Sequence, residues 1–142
     1  MKPRDVYRTL MALALGVILL LSACQQAPDL AGSDWNLVRL RDDPLIAGTT
    51  ITAEFIVGPW IIEGSAGCNS YQAIYDRDGD QIRIDADAIV VEEEICEQPE
   101  GIMEQEQAYL ETLTAVRRYR VEDNQLQMLD GAGNSILIYD PQ

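Results

Sequence analysis

Gly67-Cys68-Asn69-Ser70-Tyr71-Gln72-Ala73-Ile74-Tyr75-Asp76-Arg77-Asp78-Gly79-Asp80-Gln81-Ile82-Arg83-Ile84 is the stretch that decides the fold. Tyr71, Ala73 and Tyr75 recur at every second position, the period of a strand with one buried face. Asp76 to Asp80 then supplies the Asp and Gly residues that a hairpin turn favours, and Ile82 and Ile84 resume the alternation. Two antiparallel strands are therefore expected at the centre of the domain.

Working outward, the same punctuation repeats. Upstream, Trp35, Leu37 and Leu40 suggest an opening strand, followed by a loop through Asp42-Asp43-Pro44. Ile51 to Val57 is rich in β-branched and aromatic residues and ends at Gly58-Pro59. Trp60-Ile61-Ile62 then starts a strand that runs into Gly64-Ser65-Ala66-Gly67. Downstream, Ala88 to Val91 reads as a short strand. The tail is a meander, with Tyr119 and Val121, Leu126 and Met128, and Ile136 to Tyr139 separated by turns at Asp123-Asn124 and Asp130 to Asn134. One segment breaks the pattern. From Pro99 to Val116, Ile102, Met103, Tyr109, Leu110, Leu113 and Val116 share one helical face. Glu97, Glu100 and Glu104 lie near its positive end and Arg117-Arg118 at the other. A mainly β, α+β domain is expected: a small antiparallel barrel or strongly curled sheet, with one amphipathic helix covering an open side.

The N-terminus has a different character. Lys2, Arg4 and Arg8 outnumber Asp5, and an uncharged apolar run follows from Leu10 to Leu21. That run suits an export signal and falls short of the roughly 20 residues that a membrane span needs. It ends in Leu21-Ser22-Ala23-Cys24, which matches the bacterial lipobox. Residues 1–23 are thus expected to be a lipoprotein signal peptide, with Cys24 lipidated and the chain held to the membrane by two or three acyl chains. Residues 24–33 read as the lipidated cysteine and a short tether, and 34–142 as the folded domain. Gln25 lacks the aspartate that favours inner-membrane retention. The expected location is the extracytoplasmic side of the envelope: the outer membrane if the cell has two, otherwise the cell membrane.

Charge restricts the partners. The chain has 24 acidic and 10 basic residues. The signal removes one acid and three bases, leaving 23 and 7, a net charge of −16, with no Lys or His. Such a surface is repelled by phosphate, so nucleic acid and anionic lipid are unfavoured partners and a cationic protein is favoured. The 119 mature residues suffice for one domain, expected to act as a monomer.

Catalytic parts are missing. Without histidine there is no Ser-His-Asp or Cys-His arrangement and no histidine-ligated metal. Gly64-Ser65-Ala66-Gly67 is not a Gly-x-Ser-x-Gly elbow, and Cys68 has no Lys or His to activate it. Asp76, Asp78, Asp80 and Asp87 fit EF-hand ligand positions, but Gln81 replaces the required glycine and strands flank the loop. A solvated turn is the expectation. Glu92-Glu93-Glu94, with Glu97 and Glu100, reads as a solvated acidic face. No catalytic residue, cofactor or metal site is assigned. Cys68 and Cys96 either close a 29-residue loop by a disulfide in an oxidising compartment or remain buried thiols.

Gly67, Cys68, Asn69, Tyr71 and Tyr75 resemble the Gly-Cys-Asn-x-Tyr-x-Gly-x-Tyr signature of the META-domain, or HslJ-like, family. Trp35, Cys96, Glu106-x-x-Tyr109-Leu110-x-x-Leu113, Tyr119, Leu126 and Leu137 extend the resemblance in order, from about Leu30 to Tyr139. Two departures stand out: Ala73 replaces the family glycine, and Glu92-Glu93-Glu94-Ile95-Cys96 replaces Thr-x-Met-Ala-Cys. The resemblance implies a compact, mainly β domain with one helix, in exported or envelope proteins linked to heat-shock and antibiotic tolerance. The functional expectation is a non-enzymatic, stress-related structural or binding module. The alternative is an acidic inhibitor or ligand-binding barrel that captures a cationic envelope protein such as a lysozyme or protease.

Overall fold

The computed structural model describes residues 27–142. The signal, the lipobox and Cys24 lie outside the described residues. Among the described residues, ten strands and one α-helix follow in order: β1 Asp34–Leu40, β2 Asp43–Pro44, β3 Thr52–Phe55, β4 Ile61–Ser65, β5 Ser70–Asp78, β6 Gln81–Ile84, β7 Val90–Val91, α1 Ile102–Ala115, β8 Arg118–Glu122, β9 Gln125–Leu129 and β10 Ser135–Pro141. The sheet runs β10-β9-β8-β6-β5-β4-β3-β1, and pairing of β1 with β10 closes it into a ring. Every pairing is antiparallel, as expected for a curled barrel built from hairpins.

The alternation in β5 carries through. Tyr71, Ala73 and Tyr75 are buried while Gln72 and Ile74 face out. Opposite them, Ile82 and Ile84 of β6 and Ile62 of β4 also point inward. In β1 the spacing of Trp35, Leu37 and Leu40 is two and then three residues, yet all three are buried. A register shift between Leu37 and Arg39 against β10 supplies the extra residue and returns Leu40 to the core.

The weakest link in the ring is β6 to β8. One register pair, Gln81 with Arg118, joins them, flanked by Ile82 N–H to Arg117 O at 3.1 Å and Tyr119 N–H to Asp80 O at 2.9 Å. Helix α1 packs against β6 and β10.

Several boundaries differ from the sequence expectation, and Asp43-Pro44, expected in a loop, pairs with β1 as the two-residue strand β2. The helix begins at Ile102 and not at Pro99, because Gly101 adopts φ +85° and ends the preceding turn. The strand expected over Ala88–Val91 is reduced to β7, since Ala86–Ala88 forms a 3-10 turn capped by Asp85. The hairpin turn is only Gly79-Asp80, so Asp76, Arg77 and Asp78 belong to β5. Finally, the end of the expected tether is part of the fold. Leu30 is 1% exposed, which contributes about 1.5–3 kcal/mol. Gly32 N–H bonds Phe55 O at 2.6 Å, and Trp35 Nε1 donates to Ser33 Oγ at 2.7 Å. The domain therefore starts near Pro28, not at residue 34.

Candidate functional site

The Gly-Cys-Asn turn connects β4 to β5. Gly67 has φ +123°, a conformation that favours glycine, and it swings the next two backbone N–H groups toward α1. There they meet the carboxylate of Glu106, which is 5% exposed. Glu106 Oε2 accepts from Cys68 N at 3.1 Å and Asn69 N at 2.7 Å, while Oε1 accepts from Asn69 Nδ2 at 2.8 Å. The Asn69 amide continues the chain. Its Oδ1 accepts from Glu94 N at 2.9 Å and its Nδ2 donates to Glu94 O at 3.0 Å. Beside it, Cys68 and Cys96 are joined by a disulfide, with Cα atoms 5.9 Å apart.

The β4–β5 turn and the helix thus meet at one buried carboxylate, and Asn69 ties in the segment that follows β7. Both Glu106 oxygens are taken by N–H donors, the arrangement in which a buried charge is tolerated. The group acts as a clamp. Reading the helix by its apolar face passes over this residue, although Glu106 shares the face of Ile102, Tyr109 and Leu113. Gln105 and Thr112 are buried there too. Gln105 Oε1 accepts from Ile46 N at 2.7 Å and its Nε2 donates to Thr49 at 2.9 Å, while Thr112 Oγ1 accepts from Arg41 Nε at 2.9 Å. A polar residue on an otherwise apolar face was the available signal. Met103 and Leu110, assigned to that face from the sequence, are only half-buried.

Behind the clamp lies a tyrosine chain. Tyr71 and Tyr109 hydroxyls are 2.7 Å apart, Tyr109 and Tyr139 are 3.2 Å apart, and Tyr71 O–H donates to Thr52 O at 3.1 Å. Burial pushes all three phenols well above their ordinary value, so they are neutral donors at any physiological pH. Tyr75 is separate. Its ring packs edge-on against Phe55 and Trp60, each 5.5 Å away.

The remaining predicted residues stand apart. Asp76 and Asp78 project from β5, Asp80 sits in the turn, and Asp87 lies in the 3-10 turn, so they do not share an EF-hand loop. Among the described residues no group of three or more His, Cys, Asp or Glu is placed to hold a metal ion. Glu92, Glu93 and Glu94 are exposed. Glu92 accepts from Ser70 N at 3.2 Å, and Glu94 contributes its backbone to Asn69.

At the β6–β8 seam an open groove of about 730 Å3 is lined by Trp60, Asp76, Asp78, Arg83, Arg117 and Arg118, among others. Arg77 closes one side. Its Nη2 pairs with Asp29 at 3.1 Å, and its Nη1 donates to Tyr119 Oη at 2.6 Å and to Pro28 O at 3.2 Å. Tyr119 O–H also donates to Pro28 O, at 2.6 Å. The chain entry is thus pinned beside the groove.

Comparison with solved structures agrees with this architecture. An NMR structure of a protein from Burkholderia xenovorans is 25% identical, with a TM-score of 0.59, over 86% of this chain and 96% of that one. A second NMR structure, 17% identical over 78% of this chain and 90% of its own, has a TM-score of 0.60 and shows the fold alone. No curated protein matches the chain. The META domain family model matches residues 28–141, from the pinned proline to the end of β10. That span takes in the Gly-Cys-Asn turn, its glutamate clamp and the closed sheet, and the chain belongs to the META domain family.

Proposed function

We propose that this chain is an exported lipoprotein, lipidated at Cys24, whose META domain serves in the cell envelope as a non-enzymatic, stress-related structural or binding module. The observation that carries the reading is the order of features at the N-terminus: Lys2, Arg4 and Arg8, the uncharged run Leu10–Leu21, then Leu21-Ser22-Ala23-Cys24. The fold supports it, because the domain begins at Pro28, only four residues after Cys24. The buried polar cluster beneath the Gly-Cys-Asn turn also supports a structural role, since Glu106 commits both oxygens to backbone and amide N–H groups. Palmitate labelling and fractionation test the anchor. Cys24→Ala is expected to abolish labelling and release or mislocalise the protein; undiminished labelling and membrane association would refute it.

A second reading, capture of a cationic envelope protein such as a lysozyme or protease, is favoured by the run Glu92-Glu93-Glu94, which follows the two-residue strand β7. Salt-sensitive retention of a basic envelope protein by the immobilised chain, lost when the three glutamates become glutamine, is the expected result. Retention unaffected by salt or by the substitutions would count against it.

A further inference from the structure

We infer that the groove at the β6–β8 seam binds the zwitterionic headgroup of a membrane phospholipid, a phosphate beside a primary ammonium as in phosphatidylethanolamine. The inference rests on lipidation at Cys24 for its geometry and on the groove's own charges for its chemistry. Four of the seven arginines in the mature chain, Arg77, Arg83, Arg117 and Arg118, line this groove, although that chain carries a net charge of −16. Arg77 is committed to Asp29, Tyr119 and Pro28. Arg117 uses Nη1 on the Thr114 and Val116 carbonyls at 2.8 and 2.7 Å, which leaves its other guanidinium nitrogens unbonded among the described residues. Arg83 and Arg118 make no hydrogen bond or ion pair there, and neither do the carboxylates of Asp76 and Asp78.

Solvent-exposed charges of both signs, most of them without a protein partner among the described residues, therefore line one groove. The register sets them in order: Asp76 faces Arg83 across the β5–β6 hairpin, and Asp78 faces Gln81, which in turn faces Arg118 on β8. A simple anion would meet two carboxylates, and a simple cation three guanidiniums. A ligand with one phosphate and one ammonium satisfies both sets, the guanidiniums forking onto phosphate oxygens and the carboxylates accepting the ammonium N–H groups. Having no net charge, it also escapes the repulsion that the acidic chain exerts on anionic lipid.

Placement supports the same occupant. Arg77 holds Pro28 at the groove's edge, and Pro28 is four residue steps from Cys24, a reach of at most about 14 Å. Trp60, 51% exposed and braced edge-on against Tyr75, lines the groove with an amphipathic ring of the kind enriched at membrane–water interfaces.

The test uses the full lipidated chain in vesicles of phosphatidylcholine alone, with added phosphatidylethanolamine, or with added phosphatidylglycerol, each carrying headgroup-proximal brominated lipid. Trp60 is the reporter, because Trp35 is buried. Quenching is expected to be several-fold stronger with phosphatidylethanolamine than with the other two. Arg83→Gln with Arg118→Gln should reduce it to the phosphatidylcholine level, and Asp76→Asn with Asp78→Asn should shift the preference toward phosphatidylglycerol. Equal quenching in all three vesicles, or a native preference for phosphatidylglycerol, overturns the proposal. A chain that does not float with vesicles refutes anchoring at Cys24 instead. The groove is then read on the same protein by titrating soluble glycerophosphoethanolamine against inorganic phosphate. A saturable change in Trp60 emission with the first and not the second supports the site, and no change with either overturns it.

Discussion

Replacing Glu106 tests whether the Gly-Cys-Asn motif is a structural clamp. Three N–H donors depend on its carboxylate: Cys68 N at 3.1 Å, Asn69 N at 2.7 Å and Asn69 Nδ2 at 2.8 Å. A hydrogen bond to a charged group contributes about 1.5–3 kcal/mol net, and a buried donor left alone costs about 1–3 kcal/mol. Glu106→Ala strands all three, and since such losses do not add fully, about 4–5 kcal/mol is expected. That approaches the whole stability of a domain this size, so the variant is expected to be largely unfolded at ambient temperature. Glu106→Gln is the sharper probe, because its shape is conserved. Its one oxygen can keep the two backbone donors, but its amide then presents N–H groups to Asn69 Nδ2. Asn69 cannot flip to accept them, because both ends of its amide are held by the Glu94 backbone. One donor–donor clash predicts a loss of about 2–3 kcal/mol. With a urea slope of about 1–3 kcal/mol/M, the unfolding midpoint should fall by about 0.7–3 M. The assay is urea denaturation of the mature protein followed by Trp fluorescence and far-UV circular dichroism. A Gln variant within about 0.5 kcal/mol of wild type would refute the clamp.

Other consequences are independent of Glu106. Tyr71, Tyr109 and Tyr139 have phenols raised above 10.0 by burial, so the unfolded chain loses those protons first as pH rises. Stability should hold below about pH 10 and then fall by up to about 1.4 kcal/mol per pH unit for each phenol. Absorbance at alkaline pH should show these three ionising only with unfolding; smooth titration of every tyrosine in the native state would contradict this. A β-carbon on Gly64 overlaps the Thr52 carbonyl oxygen, so Gly64→Ala should cost about 3 kcal/mol. Gly79, at φ +61° with open space around it, should lose only about 1 kcal/mol as Ala. Equal melting temperatures for the two variants would argue against the close approach of β3 and β4. Cys68→Ser with Cys96→Ser should lower stability by about 3.5 kcal/mol on the chain-entropy scale. Non-reducing peptide mapping of protein from envelopes checks the bond itself, and two alkylatable thiols in the folded protein would contradict it.

The strands, their turns and the helix were legible in the chain because each follows from short-range rules. Tyr71, Ala73 and Tyr75 at period two, Asp and Gly at the hairpin, and Ile102, Tyr109 and Leu113 at helical spacing need no distant partner to be read. Glu106 was half legible. Its spacing puts it on the face of Ile102, Tyr109 and Leu113, which a search for apolar residues alone passes over, and its donors lie 37 and 38 residues away, beyond the reach of periodicity. The boundaries that moved did so for local reasons of smaller scale, such as the positive φ of Gly101 that delays α1.

Tertiary structure alone decided which edges meet. Closure of β1 onto β10 joins the two ends of the domain, and the one-pair contact of β6 with β8 leaves the seam that becomes a groove. Composition announced an acidic surface, yet folding gathers Arg77, Arg83, Arg117 and Arg118 from two distant segments into one place. Net charge is a sum and carries no positions, whereas a binding surface depends on charges within about a Debye length of each other. The same applies to the entry segment. Pro28 to Ser33 look like linker by composition, and only the cavity awaiting Leu30 and the donors of Arg77 and Tyr119 make them part of the domain.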